Sequence, residues 1–446
     1  MPRQHHACLI TLGAILLVAG PVFAADPPSR YGVDAPELAP LGRFAVGVRT
    51  LQFREAAQAD VMAFDPARGS APLGDRDFGV ELWYPARPKP GSAPVVYTAS
   101  MPAEPPLPPA SFSIPGIAVR DAPPAGEGFP LIVVSHGWSN DPVAMTWLTE
   151  NLASKGYVVA AIRHNDASIN DPHSLVQWLL RRPLDIVYVT RALQRTLAAQ
   201  RLIDPARTAL VGYSAGGYGV LTAAGATLDP QGPMTGMVPG GLLLPYVRGG
   251  ALQGMAELKG LRAVVAISPA GGGVLAAWGT GLRSLTTPLL LIAGDHDHRV
   301  NYLTGARAIF DGAVNAPRYL LTFRYAGHTI GLNPAPEAMR GRLWDQDWFE
   351  DPVWSKERIN AINAHFITAF LDRYVKGDEG RAAYLDMPVA ESSDGVWPDT
   401  TEPKAYDALS PGTPNITVWK GFQRKHAEGL ELLRATAADA APHAGG

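Results

Sequence analysis

The sequence contains a single cysteine in 446 residues, and this residue, Cys8, lies in the N-terminal segment 1–24. If that segment is removed, the protein has no thiol for a disulfide, a thiolate metal site or a cysteine nucleophile. An excess of charge of one sign is also lacking, because 38 Lys and Arg stand against 41 Asp and Glu, a formal net charge of -3. Without basic clusters, nucleic acid is not expected as the main partner.

Long apolar runs are scarce as well. The run from Leu9 to Gly20 is shorter than the roughly 20 residues that a membrane-spanning helix needs. Arg3 precedes it, and Val22-Phe23-Ala24 provides a small-x-small cleavage site. This pattern indicates a signal peptide over residues 1–24, and therefore export to the periplasm or the medium. No later segment is predicted to span a membrane.

Glycine and proline are abundant, with 46 and 41 residues in no fixed period, which indicates many turns and long loops. Between the loops, apolar runs typical of buried strands alternate with helical segments. This alternation predicts an α/β fold with a mostly parallel sheet and helices on both faces. The predicted core strands are 131–134, 157–162, 209–211, 263–267, 289–292 and 319–323, antiparallel strands are predicted at 44–53 and 78–84, and helices at 142–154, 182–200, 215–226 and 355–376.

Composition divides the rest of the chain. After the signal peptide we predict a Pro-rich leader over 25–40, a catalytic core over 41–376 and a C-terminal tail over 377–446. Proline-dense residues 85–128 are predicted to form a long surface excursion. Residues 227–258 interrupt the alternation and are predicted to form an insertion over the C-terminal edge of the sheet, a candidate lid. The tail is predicted to dock on the core through Trp397, Trp419 and Phe422 and to be disordered over 435–446.

The most informative motif is Gly212-Tyr213-Ser214-Ala215-Gly216, which matches G-x-S-x-G between a predicted strand and a predicted helix. Such a tight turn exposes the Ser214 hydroxyl above the sheet, and its glycines avoid collisions with the neighbouring strand and helix. A helix N-terminus also favours developing negative charge. Ser214 is therefore the candidate nucleophile.

A second motif, Ser135-His136-Gly137-Trp138-Ser139, follows the predicted strand 131–134. A glycine turn there allows backbone N–H groups to point at a carbonyl oxygen above the sheet. The N–H groups of Trp138 and Ala215 are therefore the candidate oxyanion hole. We interpret His136 as a structural residue of this loop. The Trp138 side chain is either a wall of the acyl pocket or a packing residue.

The candidate acid and base follow the next predicted strands. Asp295 and Asp297 come after strand 289–292, and His328 comes after strand 319–323. The chain order Ser, Asp, His, each on a loop after a strand, is that of the α/β-hydrolase arrangement. In that arrangement the imidazole moves the serine proton and the carboxylate orients the imidazole.

Two aspartates compete for the role of the acid. The spacing Gly294-x-x-Asp297-x-x-Val300 favours Asp297, which leaves Asp295 to bind backbone N–H groups of the turn. With His296 and His298 these aspartates resemble a metal cluster, but adjacent ligands on a tight turn rarely converge on one ion. We therefore expect no metal and no cofactor.

Two further side chains are candidate substrate contacts. His164 follows the predicted strand 157–162 on the same rim, where it is either a substrate contact or a loop histidine with its hydrogen bonds satisfied. Tyr213, next to the candidate nucleophile, is the other.

The chain resembles the α/β-hydrolase superfamily, and within it the secreted dienelactone-hydrolase-like and platelet-activating-factor-acetylhydrolase-like serine esterases. The similarity extends from about residue 40 to 375 and rests on Leu131-Ile-Val-Val-Ser-His-Gly, Gly156-Tyr-Val-Val-Ala-Ala, Arg182-Pro-Leu-Asp and Ile203-Asp-Pro-Ala-Arg. It implies a nucleophile, acid and base at Ser214, Asp297 and His328. Trp138 is also similar to the aromatic residue of polyester-degrading cutinase-like enzymes. Dienelactone hydrolases themselves use a cysteine nucleophile, so their activity is not carried over.

The sequence thus favours a serine hydrolase that cleaves a small-molecule or lipid-like carboxylic ester through an acyl-enzyme. A serine peptidase or amidase of the same fold is an alternative, because pocket shape and leaving-group protonation separate esters from amides. A non-catalytic binding protein with this fold is the third, and the complete triad argues against it.

Overall fold

The computed structural model describes residues 31–171, 173–252, 258–396, 416–423 and 425–437. The predicted signal peptide, residues 25–30 of the leader, Trp397 and residues 438–446 lie outside these ranges, so the predictions made for them stay predictions.

A large mixed sheet forms the centre of the described chain. Its strands and those of a smaller sheet are β1 (Ala45–Ala59), β2 (Leu73–Ala86), β3 (Val96–Met101), β4 (Ala110–Pro115), β5 (Val119–Arg120), β6 (Phe129–Ser135), β7 (Val158–Arg163), β8 (Ile203–Tyr213), β9 (Leu261–Ile267), β10 (Leu289–Gly294), β11 (Arg318–Phe323) and β12 (Leu430–Ala435). The strand order of the large sheet is β12-β11-β10-β9-β8-β6-β7-β2-β1-β5. Strands β6 to β11 pair in parallel, whereas β1 with β2, β2 with β7 and β11 with β12 are antiparallel.

Helices cover both faces of this sheet, as the alternation predicts. They are α1 (Thr146–Ser154), α2 (Ser174–Ala199), α3 (Ala215–Ala223), α4 (Pro233–Met237), α5 (Ala308–Gly312), α6 (Leu343–Gln346) and α7 (Lys356–Tyr374). Residues of α1 and α7 share one buried apolar cluster, and residues of α2, α3 and α5 share the cluster on the opposite face. All residues of β10 and β11 are buried, as expected for strands covered on both faces, and most of them are apolar. No helix within the described ranges combines the length and the apolarity that crossing a bilayer requires.

Helix α2 begins at Ser174, eight residues earlier than predicted from the periodicity, and keeps Pro183 in its interior. A proline has no N–H, so the carbonyl four residues earlier, that of Leu179, loses its donor within the helix. The Tyr218 hydroxyl of α3 donates to this carbonyl at 2.8 Å instead. A side chain from the neighbouring helix thus replaces the missing bond and allows α2 to continue through the proline.

The proline-dense residues 85–128 are more ordered than a plain surface excursion, which corrects that prediction. Strands β3 and β4 pair as a separate two-stranded sheet. Buried Glu150 of α1 anchors the segment, since its Oε1 accepts hydrogen bonds from the Tyr97 hydroxyl at 2.8 Å and from the N–H groups of Ile117 and Ala118 at 2.8 and 3.1 Å. Proline density therefore did not exclude strands here.

The described part of the predicted insertion, residues 227–252 and Leu258, packs beside α2 and α3. Its Asp229 N–H donates to the Ala277 carbonyl at 2.9 Å, and Gly240 lies against the Phe64 ring. Residues 253–257 of the insertion lie outside the described ranges. Movement of this segment as a lid stays a prediction.

The tail returns to the core. Trp419 and Phe422 are buried, as predicted, and the Trp419 indole donates to the Val389 carbonyl at 3.0 Å. Beyond that prediction, β12 adds an antiparallel strand to the edge of β11, with Leu433 opposite Leu320. This strand includes Ala435, which pairs with Arg318, so the prediction of disorder was wrong for this residue.

Candidate active site

Ser214 lies on the turn between β8 and α3 with φ 54° and ψ -116°. A positive φ is strained for a residue other than glycine, and such strain persists only where the surroundings impose it. Those surroundings are tightly packed, because a Cβ at Gly212 would collide with the Gly216 carbonyl and a Cβ at Gly216 with the Ser135 carbonyl. The two glycines therefore let the strand, the helix and the neighbouring loop approach closely enough to hold the serine above the sheet.

Three side chains that are far apart in the sequence form one hydrogen-bonded line here. The His328 Nε2 lies 3.0 Å from the Ser214 Oγ, and its Nδ1 lies 2.7 Å from the Asp297 Oδ2. His328 follows β11 and Asp297 follows β10, so neighbouring parallel strands end at the same edge and bring the loops together. The arrangement can pass a proton from the serine hydroxyl to the imidazole while the carboxylate supports the resulting charge.

Asp297 is buried and ionised. Burial alone would raise the pKa of its carboxyl, but attraction to His328 and hydrogen bonds outweigh this effect and hold the pKa below its ordinary value. Its second oxygen, Oδ1, accepts from the N–H groups of Arg299 and Val300 at 2.9 and 3.1 Å. Asp295 instead accepts from the Tyr325 N–H at 2.6 Å, which is the turn contact predicted for it.

Tyr213 and His164 are placed differently from the predicted substrate contacts. Tyr213 is buried, its ring packs 5.4 Å from the His328 ring, and its hydroxyl donates to the His328 carbonyl at 3.3 Å. His164 is fully buried between the Asp185 Oδ2 at 3.0 Å and the Ser135 Oγ at 2.9 Å. A substrate reaches neither side chain without rearrangement. Tyr213 supports the imidazole from behind, and His164 is a histidine with its hydrogen bonds satisfied.

The strand order of the sheet and the position of Ser214 on a strand–turn–helix are those of the α/β-hydrolase arrangement. The antiparallel start, the β7-β6-β8 crossover and the order Ser, Asp, His after successive strands all match it. A family model described as PET hydrolase-like also matches residues 121–235, about a quarter of the chain, which includes Ser214. The chain has the α/β-hydrolase fold.

Two known proteins are similar to this chain. Cutinase est2 of Thermobifida alba is 33% identical over 98 residues, which are 22% of this chain and 31% of that protein. The chain thus matches less than a third of the length of this curated relative. The structure of a ferulic acid esterase from Streptomyces cinnamoneus is 20% identical, covers 77% of this chain and 94% of its own, and superposes with a TM-score of 0.49.

The candidate oxyanion loop contains a half-buried Trp138. Its ring packs 6.0 Å from that of Trp178, and its indole N–H is buried without a partner among the described residues. Packing and a wall of an acyl pocket therefore both stay open for this side chain. On the acid loop, the rings of His296 and His298 are 6.2 Å apart, and the described ranges hold no group of three or more potential metal ligands.

Sequence reasoning missed a buried polar network behind the oxyanion loop. Arg182 of α2, fully buried, forms an ion pair with Asp166 and hydrogen bonds to the loop carbonyls of His136 and Gly137. The available signal was the Arg182-Pro-Leu-Asp motif, which places charged residues in the buried middle of α2.

Proposed function

We propose that this protein is a serine hydrolase that cleaves carboxylic ester bonds through an acyl-enzyme intermediate. The single observation that carries the proposal is the unbroken line from the Ser214 Oγ through His328 to Asp297, at 3.0 and 2.7 Å. The similarity to a cutinase and to a PET hydrolase-like family model supports an ester as the bond that is cleaved.

In the proposed reaction, the Ser214 Oγ attacks the ester carbonyl carbon while the His328 Nε2 accepts its proton. Asp297 stabilises the imidazolium that forms. The carbonyl oxygen becomes an oxyanion facing the N–H groups of Trp138 and Ala215. Ala215 is the first residue of α3, so its N–H has no acceptor within the helix. The C–O bond then breaks, the imidazolium returns the proton to the leaving alcohol, and water hydrolyses the acyl-enzyme by the same steps.

The test is hydrolysis of p-nitrophenyl esters graded by acyl length, with Ser214→Ala and the exposed control Ser113→Ala. We expect turnover by the unchanged chain and by the control, and none by Ser214→Ala at an unchanged circular dichroism spectrum. Turnover retained by Ser214→Ala would refute the proposal. Preference for a matched p-nitroanilide would support the peptidase or amidase alternative, and no reaction with a fluorophosphonate probe would support the binding protein.

We also propose that the protein is exported and cut before Ala25, on the pattern of residues 1–24. N-terminal sequencing of the protein secreted by an expressing bacterium tests this. A mature chain that begins at Met1 would refute it.

A further inference from the structure

Arg182 donates hydrogen bonds to the loop that contains the candidate oxyanion hole. Its guanidinium donates to the His136 carbonyl, to the Gly137 carbonyl at 3.0 Å and to the Ser135 Oγ at 3.1 Å. The side chain is fully buried, and Asp166 neutralises its charge. Hydrogen bonds from a buried guanidinium fix these backbone carbonyls, because a buried carbonyl that lost them could not bond to water instead.

His136 adds a second donor to one of these carbonyls. Its Nδ1 lies 2.7 Å from the Gly137 carbonyl oxygen, which can only accept, so this nitrogen carries the hydrogen. Burial and the charge of Arg182 lower the pKa of His136, which keeps the ring neutral. The Gly137 carbonyl therefore receives hydrogen bonds from both His136 and Arg182.

This carbonyl belongs to the same peptide unit as the Trp138 N–H. A trans peptide is planar, and its C=O and N–H point in opposite directions. Fixing the Gly137 oxygen towards α2 therefore turns the Trp138 N–H away from α2. Gly137 packs against the Tyr213 ring, one residue before Ser214. Within the described ranges no acceptor bonds to the Trp138 N–H, so this donor is free for a ligand.

We propose that Arg182 and His136 are positioning residues that fix the Gly137–Trp138 peptide so that the Trp138 N–H faces the oxyanion. The proposal rests on the proposed ester hydrolysis and adds to it the device that orients one of the two oxyanion donors. Without the two bonds to Gly137, the peptide can rotate and point its carbonyl dipole at the developing negative charge.

The sharpest test compares an ester with its thionoester, in which sulfur replaces the carbonyl oxygen. Sulfur is a weak hydrogen-bond acceptor, so the thionoester gains little from the oxyanion hole. The ratio of kcat/KM for the oxygen ester to that for the thionoester therefore measures the hole. A smaller folded fraction or a disturbed triad lowers both rates and leaves this ratio unchanged.

His136→Phe removes the donor and keeps a ring, whereas His136→Asn keeps an N–H near the position of Nδ1. Loss of one oxyanion donor costs about 100- to 1000-fold in kcat, so we expect His136→Phe to lower the ratio by about 10- to 100-fold. His136→Asn should restore most of it. Arg182→Met is combined with Asp166→Asn, because Arg182→Met alone would bury an unpaired carboxylate. The double variant should lower the ratio. Asp166→Asn alone leaves the guanidinium unpaired and should lower stability, but the Arg182 donors stay in place, so the ratio should be kept.

Equal losses for both substrates in His136→Phe and in the double variant would overturn this inference and leave the proposed function standing. A ratio that falls equally in His136→Asn and His136→Phe would also overturn it, since the N–H would not matter. Absence of ester turnover in the unchanged protein, or its persistence in Ser214→Ala, would instead refute the proposed function and this inference with it.

Discussion

The hydrogen bond between Tyr218 and the Leu179 carbonyl makes a quantitative prediction about stability. Tyr218 and Leu179 are fully buried, and Pro183 cannot supply the missing N–H. Burial raises the pKa of Tyr218, so its hydroxyl keeps the proton and stays a donor. Tyr218→Phe therefore leaves a buried carbonyl without a partner, and we expect it to lower the free energy of unfolding by about 1–3 kcal/mol.

A second substitution isolates this bond. Pro183→Ala restores an N–H at residue 183, which can donate to the Leu179 carbonyl within α2. In that background Tyr218→Phe should cost at least about 1 kcal/mol less than in the natural sequence, because the carbonyl then has another donor. Urea unfolding followed by tryptophan fluorescence of the four proteins gives the difference. Tyr325→Phe, at an exposed tyrosine, is the control and should change stability by less than about 0.5 kcal/mol. Equal costs of Tyr218→Phe in both backgrounds would refute the reasoning.

The remaining predictions concern the acid, a buried histidine and the turn. Asp297→Asn should lower kcat by about 10³- to 10⁴-fold in ester hydrolysis, while Asp295→Asn should lower it far less; the reverse order would assign the acid to Asp295. Burial lowers the pKa of His365 to about 3. Between about pH 6.5 and 3 the unfolded chain therefore binds a proton at His365 that the folded chain does not bind, and the free energy of unfolding should fall as the pH drops through this range. His365→Gln should reduce this dependence in urea titrations at several pH values, and an unchanged dependence would contradict the assignment. Gly216→Ala should abolish turnover, since its Cβ would collide with the Ser135 carbonyl; an active, stable variant would show that the turn can relax.

Much of this fold could be predicted because parallel strands buried on both faces leave continuous apolar runs, such as Leu289 to Ile292. The start of α2 could not be predicted, because the hydrogen bond that replaces the one lost at Pro183 comes from Tyr218 of another helix. Strand β12 was missed for a similar reason, since its six residues become a strand only beside β11. Tertiary contacts decided both elements, and no local pattern reports such contacts.

The candidate site shows the same division. Ser214, Asp297 and His328 each follow a strand end, so their meeting could be expected from the topology alone. The interior position of Arg182 could not be expected, because an arginine on a helix usually faces water and only the packing of α2 against the loop reveals where it lies. For His164 the sequence left a substrate contact and a satisfied loop histidine both open, because a position after β7 does not indicate how deep the loop lies; its burial favours the second.

The pairing of β11 with β12 has a consequence for how the chain is made. During synthesis β11 leaves the ribosome before residues 430–435. Until these residues follow, the backbone N–H and C=O groups on the outer edge of β11 have no strand to pair with. A protein truncated before Leu430 would contain every residue of the proposed reaction, but the edge of β11 would be free to pair with another protein molecule. Strand β12 thus covers an edge that would otherwise be open to intermolecular pairing, and we expect a protein truncated before Leu430 to aggregate more readily than the full chain.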